Sequence, residues 1–145
     1  MRLELSSEGR YALRALLYLA VEEERVSATK ISDRAKVPPR LLARILADLA
    51  RAGLVASKTG RGGGATLARP ASTITLRDVV DAVEGPFAVS TCILENRACG
   101  GESRCMMHEA WIVAQDAFLS ELERRTLLDL VSLGVEVDPQ PLEQR

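Results

Sequence analysis

All three cysteines of the chain and its only histidine fall within 17 residues, Cys92 to His108, in the pattern C-x6-C-x5-C-x2-H. Thiolates are soft donors that select iron–sulfur clusters, zinc or copper, and imidazole can replace a thiolate on iron while raising its potential. An odd cysteine count argues against a closed disulfide set. The first thirty residues hold no basic, apolar, small-residue leader, so reduced thiols in the cytoplasm are expected. Zinc knuckles bring ligands in pairs two to four residues apart, whereas gaps of six and five suit a loop wrapped around a larger cluster. Three metal-free buried cysteines are the plainer alternative, but Gly100-Gly101 and the charged residues of the loop do not read as core. Cys105 and His108 could also pair as nucleophile and base. No orienting Asp or Asn accompanies them, and the H-x-E and C-x-x-C of zinc deaminases are absent, so ligation rather than catalysis is expected.

At 145 residues and 47% hydrophobic content, the chain can bury one core but is short of two independent domains. No apolar run reaches the length of a membrane span. The net charge of −1 hides a strong asymmetry. Residues 27–69 carry nine basic side chains (Lys30, Arg34, Lys36, Arg40, Arg44, Arg51, Lys58, Arg61, Arg69) against Asp33 and Asp48, a net +7. Residues 70–145 carry six basic and thirteen acidic side chains, a net −7. A basic stretch of this kind in an otherwise acidic chain is the footprint of a phosphate-backbone binder, since each neutralised phosphate releases counterions.

The order of elements within the basic stretch favours double-stranded DNA over a merely solvated face. Ser7 is the expected cap of a first helix running to about Glu24, with Tyr11, Ala12, Ala15, Leu16 and Leu19 as its buried stripe. Ser27 caps a short helix, Ala28 to about Lys36, with Ile31 and Ala35 inward. Val37-Pro38-Pro39 stops it, and proline suits the first position of the next helix. That third helix, about Pro39 to Ala52, has Leu42, Ile45, Leu46 and Leu49 on one face and Gly53 as its stop. Arg40, Arg44 and Arg51 return to the opposite face, as a recognition helix in a major groove requires. Residues 54–58 and 65–67 then read as a hairpin wing with Arg61 at its glycine-rich tip. The tip is not a P-loop, lacking Gly-Lys-Ser/Thr and a following helix, nor a dinucleotide fingerprint, since it joins two strands. Glycines with one arginine suit close backbone approach to a narrow minor groove. The candidate DNA-contacting set is Lys30, Pro39, Arg40, Arg44, Arg51, Lys58, Arg61, Gly62 and Gly63.

In the second half, Thr75-Leu76-Arg77-Asp78 is a capping box for a helix with Leu76, Val79, Val80 and Val83 on its buried face, ended by Gly85-Pro86. One long helix is expected from about Met106 to Ser132. Trp111, Ala114, Phe118 and Leu122 form its stripe, widened by Val113, Ala117, Leu127, Leu128 and Leu130, which is more apolar surface than one small domain covers. A dimer seam is the expected use. Beyond Gly134 the proline-bearing acidic end reads as a frayed tail.

Met1-Arg2-Leu3, Gly9-Arg10-Tyr11-Ala12, Gly53-Leu54-Val55, Gly60-Arg61-Gly62-Gly63-Gly64 and Cys105-Met106-Met107-His108-Glu109-Ala110-Trp111 together resemble the bacterial winged helix-turn-helix iron–sulfur regulators typified by IscR and NsrR. The resemblance spans nearly the whole chain. It implies a mostly α-helical, homodimeric transcriptional regulator, a repressor, with a winged helix-turn-helix domain (1–70), a connecting helix (71–87), a cysteine-rich cluster loop (88–105), a dimerisation helix (106–132) and a flexible tail (133–145). It implies a cluster, [2Fe–2S] ahead of [4Fe–4S], on Cys92, Cys99, Cys105 and His108, sensing iron–sulfur status, redox state or nitric oxide. Iron–sulfur assembly proteins would be further partners. Glu8 is the rival fourth ligand, at the position where NsrR-like members use an acidic residue, one that could come from the other subunit. The sequence departs from the family in its x6 gap, in Ala65 after the wing glycines and in Ala43 of the recognition helix. These departures bear on cluster nuclearity and operator sequence rather than on the fold. A metal-free regulator controlled by cysteine oxidation or a protein partner is the alternative.

Overall fold

The computed structural model describes residues 4–86, 92, 94, 99 and 104–134. Helix α1 (Ser7–Ala20) is the hub: Ala12, Ala15 and Leu16 have no exposed surface and Leu19 has 2%. Its cap is Ser6, not the expected Ser7, with the Ser6 hydroxyl accepting the Gly9 N–H at 3.0 Å. The helix stops at Ala20 rather than Glu24. Continuing it would stack Glu22, Glu23 and Glu24 on the negative end of the helix dipole.

Helices α2 (Ala28–Ala35) and α3 (Pro39–Arg51) form the helix-turn-helix. Ser27 caps α2, and Lys36 closes it in the left-handed region at φ 52°. The tight turn satisfies its own polar groups. Val37 N–H donates to the Ser32 carbonyl at 3.0 Å, and the buried Ser32 hydroxyl donates to the Val37 carbonyl at 2.6 Å. Pro39 opens α3, where its missing N–H costs nothing, and Leu42, Ile45, Leu46 and Leu49 are all buried as the spacing predicts.

Strands β1 (Val55–Lys58) and β2 (Gly64–Leu67) pair antiparallel in the register Val55↔Leu67 to Lys58↔Gly64. The hairpin does not stand alone. Val26 and Ala65 exchange two backbone hydrogen bonds, at 2.9 and 2.7 Å, so the residue before α2 serves as a one-residue third strand.

After a single 3-10 turn (Ala71–Thr73), α4 (Leu76–Glu84) begins with the predicted capping box, Thr75 and Asp78 satisfying each other's backbone N–H. Of its apolar residues Val79 is fully buried, and the others lie half-buried.

In place of the single helix expected over 106–132 there are two, α5 (His108–Arg124) and α6 (Leu127–Ser132), with Arg125 extended between them. Thr126 and Asp129 form a second capping box, which competes with helix continuation because Thr is β-branched and its hydroxyl caps well. The break sends Leu127 into the core at 0% exposure, where Leu130 and Val131 also pack. These side chains therefore belong to the protomer's own core rather than to a seam. Beyond the loop end, Met106 and Met107 form a turn before α5. The expected cluster loop is described only at Cys92, Leu94, Cys99, Arg104 and Cys105, and the expected tail lies outside the described residues apart from Leu133 and Gly134.

Candidate functional site

Two groups of side chains carry the chemistry: a basic face on α2, α3 and the wing, and the thiols beside the start of α5. On the basic face Arg40, Arg44 and Arg51 are all exposed along α3, as their spacing requires. Their partners differ. Arg51, at the last turn, pairs with Asp48 of its own helix. Arg44 reaches across to α1, its Nη1 lying 3.2 Å from Glu8 Oε1. Arg40, Lys58 and Arg61 are exposed and make no ion pair among the described residues. Lys30 on α2 is 3.6 Å from Glu22.

The wing glycines divide into two kinds. Gly60 (φ 85°) and Gly62 (φ 70°) need the left-handed region and face open space. Gly63 and Gly64 are required inside the fold: a Cβ on Gly63 would overlap the Lys58 carbonyl, and one on Gly64 would overlap the Val26 carbonyl. Gly63 is thus required by the closeness of the wing's own backbone and Gly64 by packing against Val26 just before α2, causes the composition of the tip does not reveal. Arg25, absent from the expected set, also fixes the wing. Its Nη1 donates to the carbonyls of Ala56 at 3.3 Å and Gly64 at 3.2 Å, one on each strand.

At the second group, Cys92 is buried at 7% exposure. Its Sγ lies 3.4 Å from Cys105 Sγ, and Cys99 Sγ lies 3.4 Å from His108 Nδ1. The four expected donors therefore meet as two pairs. Two thiolates bound at about 2.3 Å to one tetrahedral metal lie about 3.7 Å apart, and a thiolate–imidazole pair about 3.5 Å apart. Each pair has the spacing of two ligands on one metal. Among the described residues no three His, Cys, Asp or Glu side chains converge as a single ion would require.

The Cys105 thiol is pushed above the ordinary thiol range, first by its hydrogen bond with Cys92, then by burial, with the charges of Cys92 and Cys99 adding to the shift. A bound cation would relieve that repulsion and release protons. His108 is the first residue of α5, and its N–H donates to the Cys105 carbonyl at 3.0 Å. Met107, at the N-cap of α5, makes no side-chain cap hydrogen bond. Glu8 has another partner in the protomer, Arg44.

A chain of contacts runs from α5 to the reading helix. Arg77 of α4 binds Asp81 at 2.8 Å and reaches Glu123 of α5 at 3.4 Å. At the other end of α4, Glu84 Oε1 accepts the Ser6 N–H at 2.8 Å, at the cap of α1. Gly9 permits that approach, since a Cβ there would overlap Glu84 Oε1. Glu8, in the same turn, then holds Arg44. Apart from the i,i+4 pair Arg77–Asp81, none of these ties follows from helix periodicity, because each joins residues far apart in the sequence.

The family profile of Rrf2, described as an iron-dependent transcriptional regulator, matches residues 5–133. The chain is 37% identical over 138 residues to the protein aau3 of Rhizobium meliloti (strain 1021), covering 94% of this chain and 90% of that one. The fold is similar to that of CymR, the global cysteine regulator of B. subtilis, with a TM-score of 0.75 at 30% identity over 91% of this chain and 98% of that one. It is also similar to T. potens IscR, with a TM-score of 0.74 at 26% identity over 94% and 91%. With its helix-turn-helix, basic face and wing, this chain belongs to the Rrf2 family and is a DNA-binding transcriptional regulator rather than an enzyme.

Proposed function

We propose that this regulator is a cytoplasmic homodimeric repressor whose operator affinity is switched by an iron–sulfur cluster, [2Fe–2S], held by Cys92, Cys99, Cys105 and His108. The observation that carries the reading is the division of the four donors into two pairs, each at 3.4 Å. Cys92 with Cys105 and Cys99 with His108 would hold a two-iron cluster, whereas one zinc would need all four donors around one point. His108 supports its own claim as fourth ligand by standing against Cys99, while Glu8 is engaged by Arg44. When bound, the cluster would supply a redox-active and nitric-oxide-reactive centre. The chain's own residues do the rest: His108, if ligated, would be held together with the first turn of α5, and the Arg77, Glu84 and Glu8 contacts link α5 to α3.

DNA contact is assigned to Lys30 on α2, to Pro39, Arg40 and Arg44 on α3, and to Lys58, Arg61, Gly62 and Gly63 on the wing, with Arg51 on the flank. The dimer is assigned to α5, where Val113 is 67% exposed, and Ala114 and Ala117 are exposed beside it. Such an uncovered apolar helix face calls for a partner. Anaerobic purification followed by iron and acid-labile sulfide counts tests the cluster. About two irons and two sulfides per chain, lost in Cys92→Ala, supports it; a colourless, iron-free protein refutes it.

A second reading has one observation in its favour. The Cys92 and Cys105 sulfurs, 3.4 Å apart, are placed for a disulfide formed by loss of two electrons and two protons to a peroxide. A metal-free protein whose DNA binding changes reversibly with peroxide and dithiothreitol would favour that thiol switch.

A further inference from the structure

We propose that Glu8 is a specificity-determining residue: it orients the Arg44 guanidinium for bidentate reading of a guanine edge, and so converts a phosphate-binding arginine into a base-reading one. The proposal rests on α3 being the DNA-reading helix. It adds a function to a residue of α1 that no contact with DNA would reveal.

The arginines of α3 differ in what holds them. Arg40 is unpaired among the described residues, and Arg51 is tied to Asp48 within its own helix. Among the described residues, Arg44 alone of the three is held by a carboxylate from another element, with Nη1 at 3.2 Å from Glu8 Oε1. Its side chain is still 68% exposed, so most of the guanidinium fork remains open to a ligand.

A carboxylate in this place acts oppositely on the two ways an arginine can meet DNA. Phosphate binding is governed by charge and tolerates many orientations, and a neighbouring carboxylate weakens it by neutralisation and by repelling the backbone. Guanine reading requires two parallel N–H groups aimed at O6 and N7, so it gains from a fixed fork. Holding one nitrogen of Arg44 therefore costs non-specific affinity and favours base discrimination.

Glu8 is built to hold a position. It lies in the first turn of α1, between Ser6, whose hydroxyl accepts the Gly9 N–H and whose own N–H binds Glu84, and the fully buried stripe that begins at Ala12. Its side chain is 30% exposed, which leaves few alternative placements. A side chain on a rigid element is what an orienting contact requires.

The test is selection from a random duplex DNA library by the full chain, with sequencing of the bound fraction, for wild type, Glu8→Gln, Glu8→Asp, Arg44→Ala and Arg44→Lys. Wild type should enrich a motif containing a guanine whose preference Arg44→Ala abolishes. Arg44→Lys should lose that preference too, while keeping the salt dependence of binding, because it retains the charge without the fork. Glu8→Gln should lower the preference at that same base pair by about two- to fivefold, the scale of a partly exposed ion pair, and bind duplex lacking the motif at least as tightly as wild type. Glu8→Asp, which keeps the carboxylate, should fall between the two. Thermal unfolding identifies any variant that has lost the fold, and Glu8→Asp and Arg44→Lys then carry the comparison. If Glu8→Gln and Glu8→Asp keep the wild-type preference where Arg44→Ala loses it, Glu8 does not orient Arg44 and the proposal fails alone. If Arg44→Ala itself leaves the motif unchanged, the assignment of Arg44 as a base reader fails with it.

Discussion

Thr75 and Thr126 face each other across a short antiparallel bridge, and each caps the helix that follows it. The bridge is closed by Leu76 N–H to the Arg125 carbonyl at 2.8 Å and Leu127 N–H to the Ile74 carbonyl at 2.9 Å. Ile74 and Leu127 are both fully buried beneath it. Two capping boxes thus turn the chain back onto the reading domain, and α5 is anchored at its C-terminal end as well as through α4.

That anchor has a measurable strength. Thr126→Ala should cost about 1 kcal/mol through the lost cap, and Leu127→Ala about 2–5 kcal/mol through the cavity it leaves. Urea unfolding monitored by circular dichroism should resolve both. Equal and small effects would mean that α6 is not part of the cooperative core.

The same two boxes should make stability sensitive to acid. At Asp78 burial acts to raise the carboxyl, but the backbone N–H of Thr75 and the Arg69 guanidinium outweigh it and hold the group below the usual range. Asp129 is likewise lowered, chiefly by the backbone N–H of Thr126 and then by its hydroxyl. A carboxyl with a lower folded than unfolded pKa stabilises the fold above the unfolded value and loses that contribution as pH falls through the folded one. The melting temperature should therefore fall as pH drops below about 4, the ordinary carboxylate range. Asp78→Asn and Asp129→Asn should each flatten that fall.

For the wing, Gly64→Ala should cost about 2 kcal/mol or more, because the position combines φ 144° with a backbone overlap on Val26. Gly60→Ala, strained but in open space, should cost less. Arg25→Ala should weaken DNA binding with little change in unfolding midpoint, since it removes contacts that aim the wing rather than core packing. Filter or anisotropy binding beside thermal melts distinguishes the two effects.

Much of this architecture is legible in the sequence, and the failures share a cause. The α3 stripe from Leu42 to Leu49 and the Thr75 capping box are local patterns, and both are found where the pattern puts them. The break at Arg125 was carried by an equally local signal, Thr126 with Asp129, but the apolar spacing of Leu127, Leu128 and Leu130 reads as helix continuation and conceals it. The Val26 bridge and Arg25's hold on the wing are contacts between distant segments, which no periodicity encodes. The cysteine and histidine spacing predicts four candidate donors. Their sorting into two pairs is a matter of three-dimensional placement.

On the basic face, Arg40→Ala and Arg61→Ala should each reduce the slope of log affinity against log salt by about 0.9, the contribution of one phosphate contact on B-DNA. Lys30→Ala should change it less, because Lys30 already has Glu22 at 3.6 Å. An unchanged slope in both arginine variants would remove them from the interface.

The central claim is that occupancy of the thiol–imidazole site changes operator affinity. The most direct test is anaerobic binding of one selected operator fragment, at fixed salt, by cluster-loaded protein and by the same preparation after cluster removal, with His108→Ala in parallel. The two forms should differ in affinity by at least about fivefold, the lower end of ordinary allosteric coupling, with His108→Ala following the cluster-free protein. Equal affinity of loaded and cluster-free protein would contradict it.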